Sequence, residues 1–182
     1  MAHQSGVVGY KVICTHFYPR DPRALDVFRA IADIGKPILF HSGILWDGQD
    51  SSRYNRPAEF EALLGINDLR FSLAHISWPW CDECIALYGK LQHSKLAPKM
   101  FVDVTPGTPP IYREEALTKL FTVGYDVEGN VFFGSDSDAG DYRVDRVHEM
   151  IERDNAIYSK LGLKNETREK VYAGNIRRFL GV

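Results

Sequence analysis

KPILFHSG, Lys36 to Gly43, is a short apolar run that ends in a histidine and then breaks into Ser-Gly. A nearly continuous apolar run of this length reads as a strand buried on both faces, the kind that builds parallel sheets. The same design recurs along the chain. Strand-like runs open at Val8 (VGYKVI), Pro37 (PILFH), Leu69 (LRFSLAH), Lys99 (KMFVDV) and Val131 (VFFGSD), with start-to-start spacings of 29, 32, 30 and 32 residues. Helical patterns with stop signals of their own fill the intervals. ALDVFRAIADIG places Leu25, Phe28, Ile31 and Ala32 on one face and stops at Gly35. PAEFEALLG predicts a helix from Pro57 to Gly65, CDECIALYGKLQ another, and YREEALTKLFTVG a third that ends at Gly124. Two more helices are expected over Tyr142 to Leu161 and Glu166 to Leu180.

Repeated strand-helix units with short connections make a parallel α/β sheet. Periodicity leaves open whether that sheet is flat or closed. Length favours an open, doubly wound sheet, because an eight-stranded barrel typically takes about 250 residues. Neither GxGxxG nor GxxxxGK[ST] is present, so the usual nucleotide signatures of open sheets are missing. The 182 residues suit one domain over 1–182.

A net charge of −2 gives no electrostatic basis for binding nucleic acid or an anionic membrane. No apolar run approaches the ~20 residues of a membrane helix, and no signal-like segment precedes the first strand, so a cytoplasmic protein is expected. Cys14, Cys81 and Cys84 cannot all pair, which argues against a secreted disulfide scaffold.

In parallel α/β folds the ligand site lies beyond the carboxyl ends of the strands. Those ends carry Lys11 to His16, then His41, His75, Asp103 and Asp136. Imidazole and carboxylate are the donors that hold zinc and similar divalent ions. One histidine so placed would read as a core or capping residue. Two histidines and an aspartate at equivalent ends point to a shared polar centre. After His41, SGILWDGQDSSRYNRP runs about sixteen residues without a pattern, against the ~2–6 of an ordinary connection. Its Trp46, Arg53 and Tyr54 suit the enclosure of a small organic molecule, with Arg53 as an anion contact. Trp78 and Trp80 in HISWPWCDE could line the same mouth.

Together, KPILFHSG, LRFSLAHISWPWCDECIALY, NVFFGSDS and EKVYAGNIRRFLGV resemble the amidohydrolase superfamily. The likeness is strongest to the branch of aminocarboxymuconate-semialdehyde decarboxylase and related metal-dependent hydrolases. It implies a (β/α)8 TIM-type barrel, here incomplete: five βα units and C-terminal helices, with the first three units missing. It also implies roles. His41 would be a metal ligand, and His75 the catalytic histidine that polarises substrate or moves a proton. Asp136 would bind the metal and accept the proton of a nucleophilic water. Glu83 and Asn175 match positions read as structural, and Lys11 a lumen-facing ion-pair partner. The reaction implied is hydrolysis or decarboxylation of a small organic substrate, carboxylated or not, with a divalent metal, zinc first among the choices.

One departure matters. The family's first strand supplies an HxH pair, and none of His3, His16, His41, His75, His93 and His148 is one residue from another. Too few ligands remain for the three-ligand site of a catalytic zinc. A weakly held or absent metal and low activity are therefore expected, and unpaired sheet edges favour a homo-oligomer. His16 reads as a solvated loop residue.

Two rival functions remain. A noncatalytic remnant or subunit of the same fold explains the missing pair. A thiol redox protein would use Cys81-x-x-Cys84, which opens a helix after a buried strand as in thioredoxin. GSDSDAGD alternates acidic residues but lacks the glutamate of a calcium loop. Asp138 or Asp141 is expected to cap the next helix instead.

Overall fold

The computed structural model describes residues 6–97, 99–138 and 140–182. Five parallel strands form one sheet: β1 (Tyr10–Val12), β2 (Ile38–Phe40), β3 (Arg70–Leu73), β4 (Lys99–Asp103) and β5 (Val131–Phe132). Their order across the sheet is β1-β2-β3-β4-β5, the order of the chain. A doubly wound sheet must reverse its strand order somewhere, and this one never does. The open doubly wound arrangement favoured by length is thus replaced by a singly wound wall. Right-handed crossovers in an unbroken series put every connecting helix on one face. That is the wall of a (β/α) barrel, extending over five strands.

Register explains why the two faces differ. Ile38, Phe71 and Met100 share one row and Phe40, Leu73 and Val102 another, and all six are fully buried. They pack under α1 (Pro22–Asp33), α2 (Cys81–Leu91) and α3 (Pro110–Thr122) in the main core, with Phe28, Ile85 and Leu117 from those helices. Strand residues alternate in direction, so Lys11, Leu39, Ser72 and Phe101 line up on the opposite, concave face. Asp103 and Phe132 follow on that same face.

After α4 (Val144–Lys160), the chain passes through α5 (Asn165–Glu169) and a π turn (Lys170–Gly174) into α6 (Asn175–Leu180). The Asn175 side chain donates to the carbonyls of Glu128 (2.8 Å) and Val131 (2.7 Å), fixing α6 at the start of β5. Phe179 then enters the concave face, its ring 5.3 Å from Phe101 and 5.1 Å from Phe132. The N-terminal end of that face is thereby filled by a small aromatic core. Only the C-terminal end stays open to a ligand.

Three local expectations change. PAEFEALLG forms 3-10 turns over Pro57–Gly65, and its buried residues Pro57, Phe60 and Leu63 recur every third position, the period of that helix. The long stretch after His41 contains a 3-10 turn at Ser52–Asn55. Neither Asp138 nor Asp141 caps α4: Arg143 holds the N-cap position, and Asp138 accepts from the Gly140 amide at 2.9 Å. Among the described residues, no helix is long and apolar enough to cross a membrane.

Candidate functional site

At the open end, the chain leaves β2 and places His41 beside β1, the His41 amide donating to the Val12 carbonyl at 2.8 Å. The His41 Nε2 lies 3.2 Å from the Ile44 carbonyl, so this nitrogen carries the proton and Nδ1 is left as an acceptor. Ser42, fully buried, hydrogen-bonds to the Asn55 carbonyl (3.0 Å) and to the Ser77 hydroxyl (2.7 Å). At Gly43, with φ +104°, a β-carbon would stand 2.4 Å from the Trp78 carbonyl oxygen. The loops after β2 and β3 are therefore stitched together, and glycine is what allows their approach.

His75 sits just beyond β3 in a backbone that L-residues rarely adopt. His75, Ile76 and Ser77 are successively left-handed, with φ of 62°, 48° and 58°. For the β-branched Ile76 this conformation is a genuine outlier, held by complete burial of its side chain. The turn delivers the His75 ring to the cleft, where Thr105 Oγ1 meets Nδ1 at 2.8 Å. Thr105 is held in turn, its amide donating to Asp103 Oδ1 at 2.6 Å. This leaves Nε2 as the ring atom of His75 available for chemistry. The two imidazoles lie close, with centroids 5.1 Å apart and planes at 60°.

Electrostatics follow from this crowding. Burial lowers the His41 pKa to about 4, helped by the charges of His75 and Lys11. Burial also lowers that of His75, against the opposing pull of Asp136. Both rings are consequently neutral at pH 7. Asp103, 2% exposed, is pushed up to about 6 by burial, the Thr105 amide only partly offsetting it. Lys11 is lowered by burial, with Asp103 and Asp136 pulling the other way. Asp136 lies past β5 in a left-handed conformation (φ 51°) and completes the ring of charge.

Lys11, His41, His75 and Asp136 line one cleft of about 360 Å³, with Trp46 and Trp78. The concave face thus brings together both histidines, the aspartate and two of the candidate aromatics. Trp46 is 79% exposed at the rim. Arg53, Tyr54 and Trp80 are not in the lining. Arg53 pairs with Asp50 at 2.9 Å and donates to the Tyr54 hydroxyl at 2.9 Å, while Trp80 stacks under Arg56. His16 is exposed in its loop. Sequence reasoning missed Thr105 and Gly107, which orient His75. The Pro- and Gly-rich TPGTPP directly after a strand was the available signal.

A divalent ion would look to His41 and Asp136. Among the described residues, however, no three His, Cys, Asp or Glu side chains form a set able to hold a metal. One nitrogen of His41 is already committed to Ile44. The donors present do not make the three-ligand site of a catalytic metal. Burial raises Cys81 to about 11 and Cys84 to about 12, the direction opposite to that of a redox thiol.

No protein-family model matches the chain, and no curated protein matches it. Solved structures do. An uncharacterised TIM-barrel protein from Bordetella bronchiseptica is 18% identical with a TM-score of 0.62, covering 94% of this chain and 57% of its own. A probable 2-pyrone-4,6-dicarboxylic acid hydrolase from Acinetobacter baumannii, with citric acid bound, is 12% identical (TM-score 0.63; 97% and 65%). A 2,6-dihydroxybenzoate decarboxylase from Rhizobium is 11% identical (TM-score 0.56; 91% and 57%). The chain spans between 57% and 65% of these three proteins. At such identity the likeness is one of fold: this chain is a five-stranded part of a TIM-type barrel.

Proposed function

We propose that this chain carries the reaction centre of a hydrolase or decarboxylase of amidohydrolase type, acting on a small carboxylated organic molecule. The observation that carries this reading is the meeting of two neutral imidazoles, each with a free ring nitrogen, with Asp136 and Lys11 in one cleft. Hydrolase and decarboxylase names among proteins of like fold agree with it.

Each side chain has a task it can perform at neutral pH. Lys11 pairs with a substrate carboxylate as a point charge. Asp136 accepts a proton from water as the water oxygen attacks a carbonyl carbon, and returns it to the leaving oxygen as the acyl C–O bond breaks. His75, held through Nδ1, hydrogen-bonds with Nε2 to the substrate carbonyl oxygen. His41 keeps the cleft wall in register through Ile44. In a decarboxylation, the same Lys11 and His75 orient the carboxylate and the ring: the ring carbon takes a proton from water as the C–C bond breaks, and the hydroxide left combines with the released CO2 as bicarbonate. No step is assigned to a metal, because the ligand set is incomplete.

Turnover of a carboxylated cyclic lactone and of dihydroxybenzoates by the purified chain, followed by base uptake and CO2 release, tests the reading. Slow turnover that falls at least tenfold in both Asp136→Asn and His75→Gln, and survives in Trp80→Phe, is expected. Turnover indifferent to Asp136 and His75 would overturn it. The incomplete ligand set supports a second reading, a noncatalytic part of the same fold, for which the chain shows no turnover at all.

A further inference from the structure

A second cavity adjoins the cleft. It measures about 320 Å³ and lies between the Pro106–Pro110 loop and α4, lined also by Arg146, Glu149 and Arg153. Pro106 and Gly107 border both spaces, so a single ridge of backbone separates the cavity from His75.

Its chemistry is cationic. Arg146 and Arg153 lie seven residues apart on α4, two turns or about 10 Å along one face, and both reach the cavity. Among the described residues Arg146 makes no ion pair. Arg153 approaches Asp154 only at 3.9 Å, and Asp154 is already held by Arg113 through contacts of 3.0 and 2.6 Å. The Arg153 Nε–H is buried without a partner. Thr108 lines the same cavity, is 4% exposed, and its hydroxyl also lacks a partner. The N-terminus of α3, thirteen residues long from Pro110, opens at the cavity; Pro109 and Pro110 offer no N–H there, so it adds only the positive end of its dipole. Glu149 is the one carboxylate in the lining. Two guanidiniums and an unpartnered hydroxyl around one space are the donors an oxyanion needs.

We propose that this cavity is an anion subsite for a second carboxylate or phosphate of the substrate, several atoms from the reacting bond. The substrate class is then a small molecule with two anionic ends. One end meets Lys11, and the other crosses the Pro106–Gly107 ridge to Arg146 and Arg153. This rests on the reaction centre proposed above, yet binding in the subsite needs neither His75 nor Asp136.

The probes are inorganic phosphate, succinate and acetate, titrated into the intact chain and followed by guanidinium Nε–Hε and backbone amide NMR shifts. Phosphate and succinate should move the Arg153 side-chain signal and the Thr108 amide in a saturable way, and acetate more weakly. Apparent affinity should fall at least tenfold in Arg146→Gln/Arg153→Gln and stay unchanged in His75→Gln. Phosphate binding stronger than succinate would mark the second group as a phosphate, the reverse as a carboxylate. Shifts absent in the unsubstituted chain, or equal in the double variant, would overturn the subsite. If turnover fails while these shifts persist, the reaction centre is wrong and the subsite stands.

Discussion

Gly107 lies against the imidazole of His75, so close that a β-carbon there would stand 2.6 Å from Cγ and 2.7 Å from Cβ of the histidine. The ring is thus wedged between this backbone and Thr105, and its place is set by neighbours as much as by its own turn. Gly107→Ala should displace the ring and leave the sheet intact. Overpacking of this kind costs about 1–3 kcal/mol. A changed His75 ring resonance, unchanged far-ultraviolet dichroism and a lower melting temperature are expected. An unshifted His75 signal would contradict the wedge.

Asp103 gives the fold a pH dependence of definite sign. Its pKa in the folded chain is about 6, above the ordinary 3.8, so the folded state keeps a proton that the unfolded state has lost. Stability contributed by this group is complete below about pH 4 and declines as the pH rises to about 6. The loss is about 3 kcal/mol at most. His41 acts in the opposite sense, since its lowered pKa of about 4 removes stability as pH falls from 6.5. Denaturant titrations of Asp103→Asn minus the unsubstituted chain isolate the first effect. A difference flat from pH 4 to 7 would refute it.

The buried ion pair between Arg113 and Asp154 should be costly to break between α3 and α4. Both side chains are at most 1% exposed, and Arg113 Nη2 also donates to the Val104 carbonyl at 2.6 Å, just ahead of Thr105. Removing one partner strands the other as a buried charge, costing about 3–5 kcal/mol. Arg113→Met and Asp154→Asn should each lower stability by that order in urea unfolding, and Arg113→Met/Asp154→Leu by much less. Equal losses in single and double variants would show that the pair itself does not matter.

Cys14, Cys81 and Cys84 should be unreactive in the folded state. Cys14 and Cys84 are fully buried, Cys81 is 8% exposed, and burial raises their pKa values to about 12, 12 and 11 respectively. A disulfide reagent at pH 7.5 should label three thiols per chain in denaturant and react at least a hundredfold more slowly without it. Rapid labelling of Cys81 in the native protein would revive the redox reading.

Much of this architecture is legible in the residues because burial on two faces leaves a strong signal. PILF and the Met100–Val102 centre of KMFVD must be apolar, since helices cover one side and Phe179 with its neighbours the other. Histidine and aspartate at the ends of such runs stand out for the same reason. The strand order was not legible. Thirty-residue spacing is common to flat and closed sheets, and only the pairing of β1 with β2 through to β5 decides between them. Arg53 looked like an anion contact because a guanidinium in a long loop has no visible partner in sequence. In space Asp50, three residues before it, supplies one. Thr105 and Gly107 escaped notice because their importance lies in distance to a ring thirty or more residues away.

The three successive left-handed residues from His75 to Ser77 have a consequence for how the molecule fails. Each non-glycine residue in that conformation costs about 1–2 kcal/mol, so the segment is spring-loaded against its surroundings. Mild warming that loosens the packing over Ile76 would let this short piece relax while the strands behind it stay paired. Displacement of the His75 ring would then precede melting of the sheet, and recovery on cooling would be quick, because nothing but one turn has to be wound again.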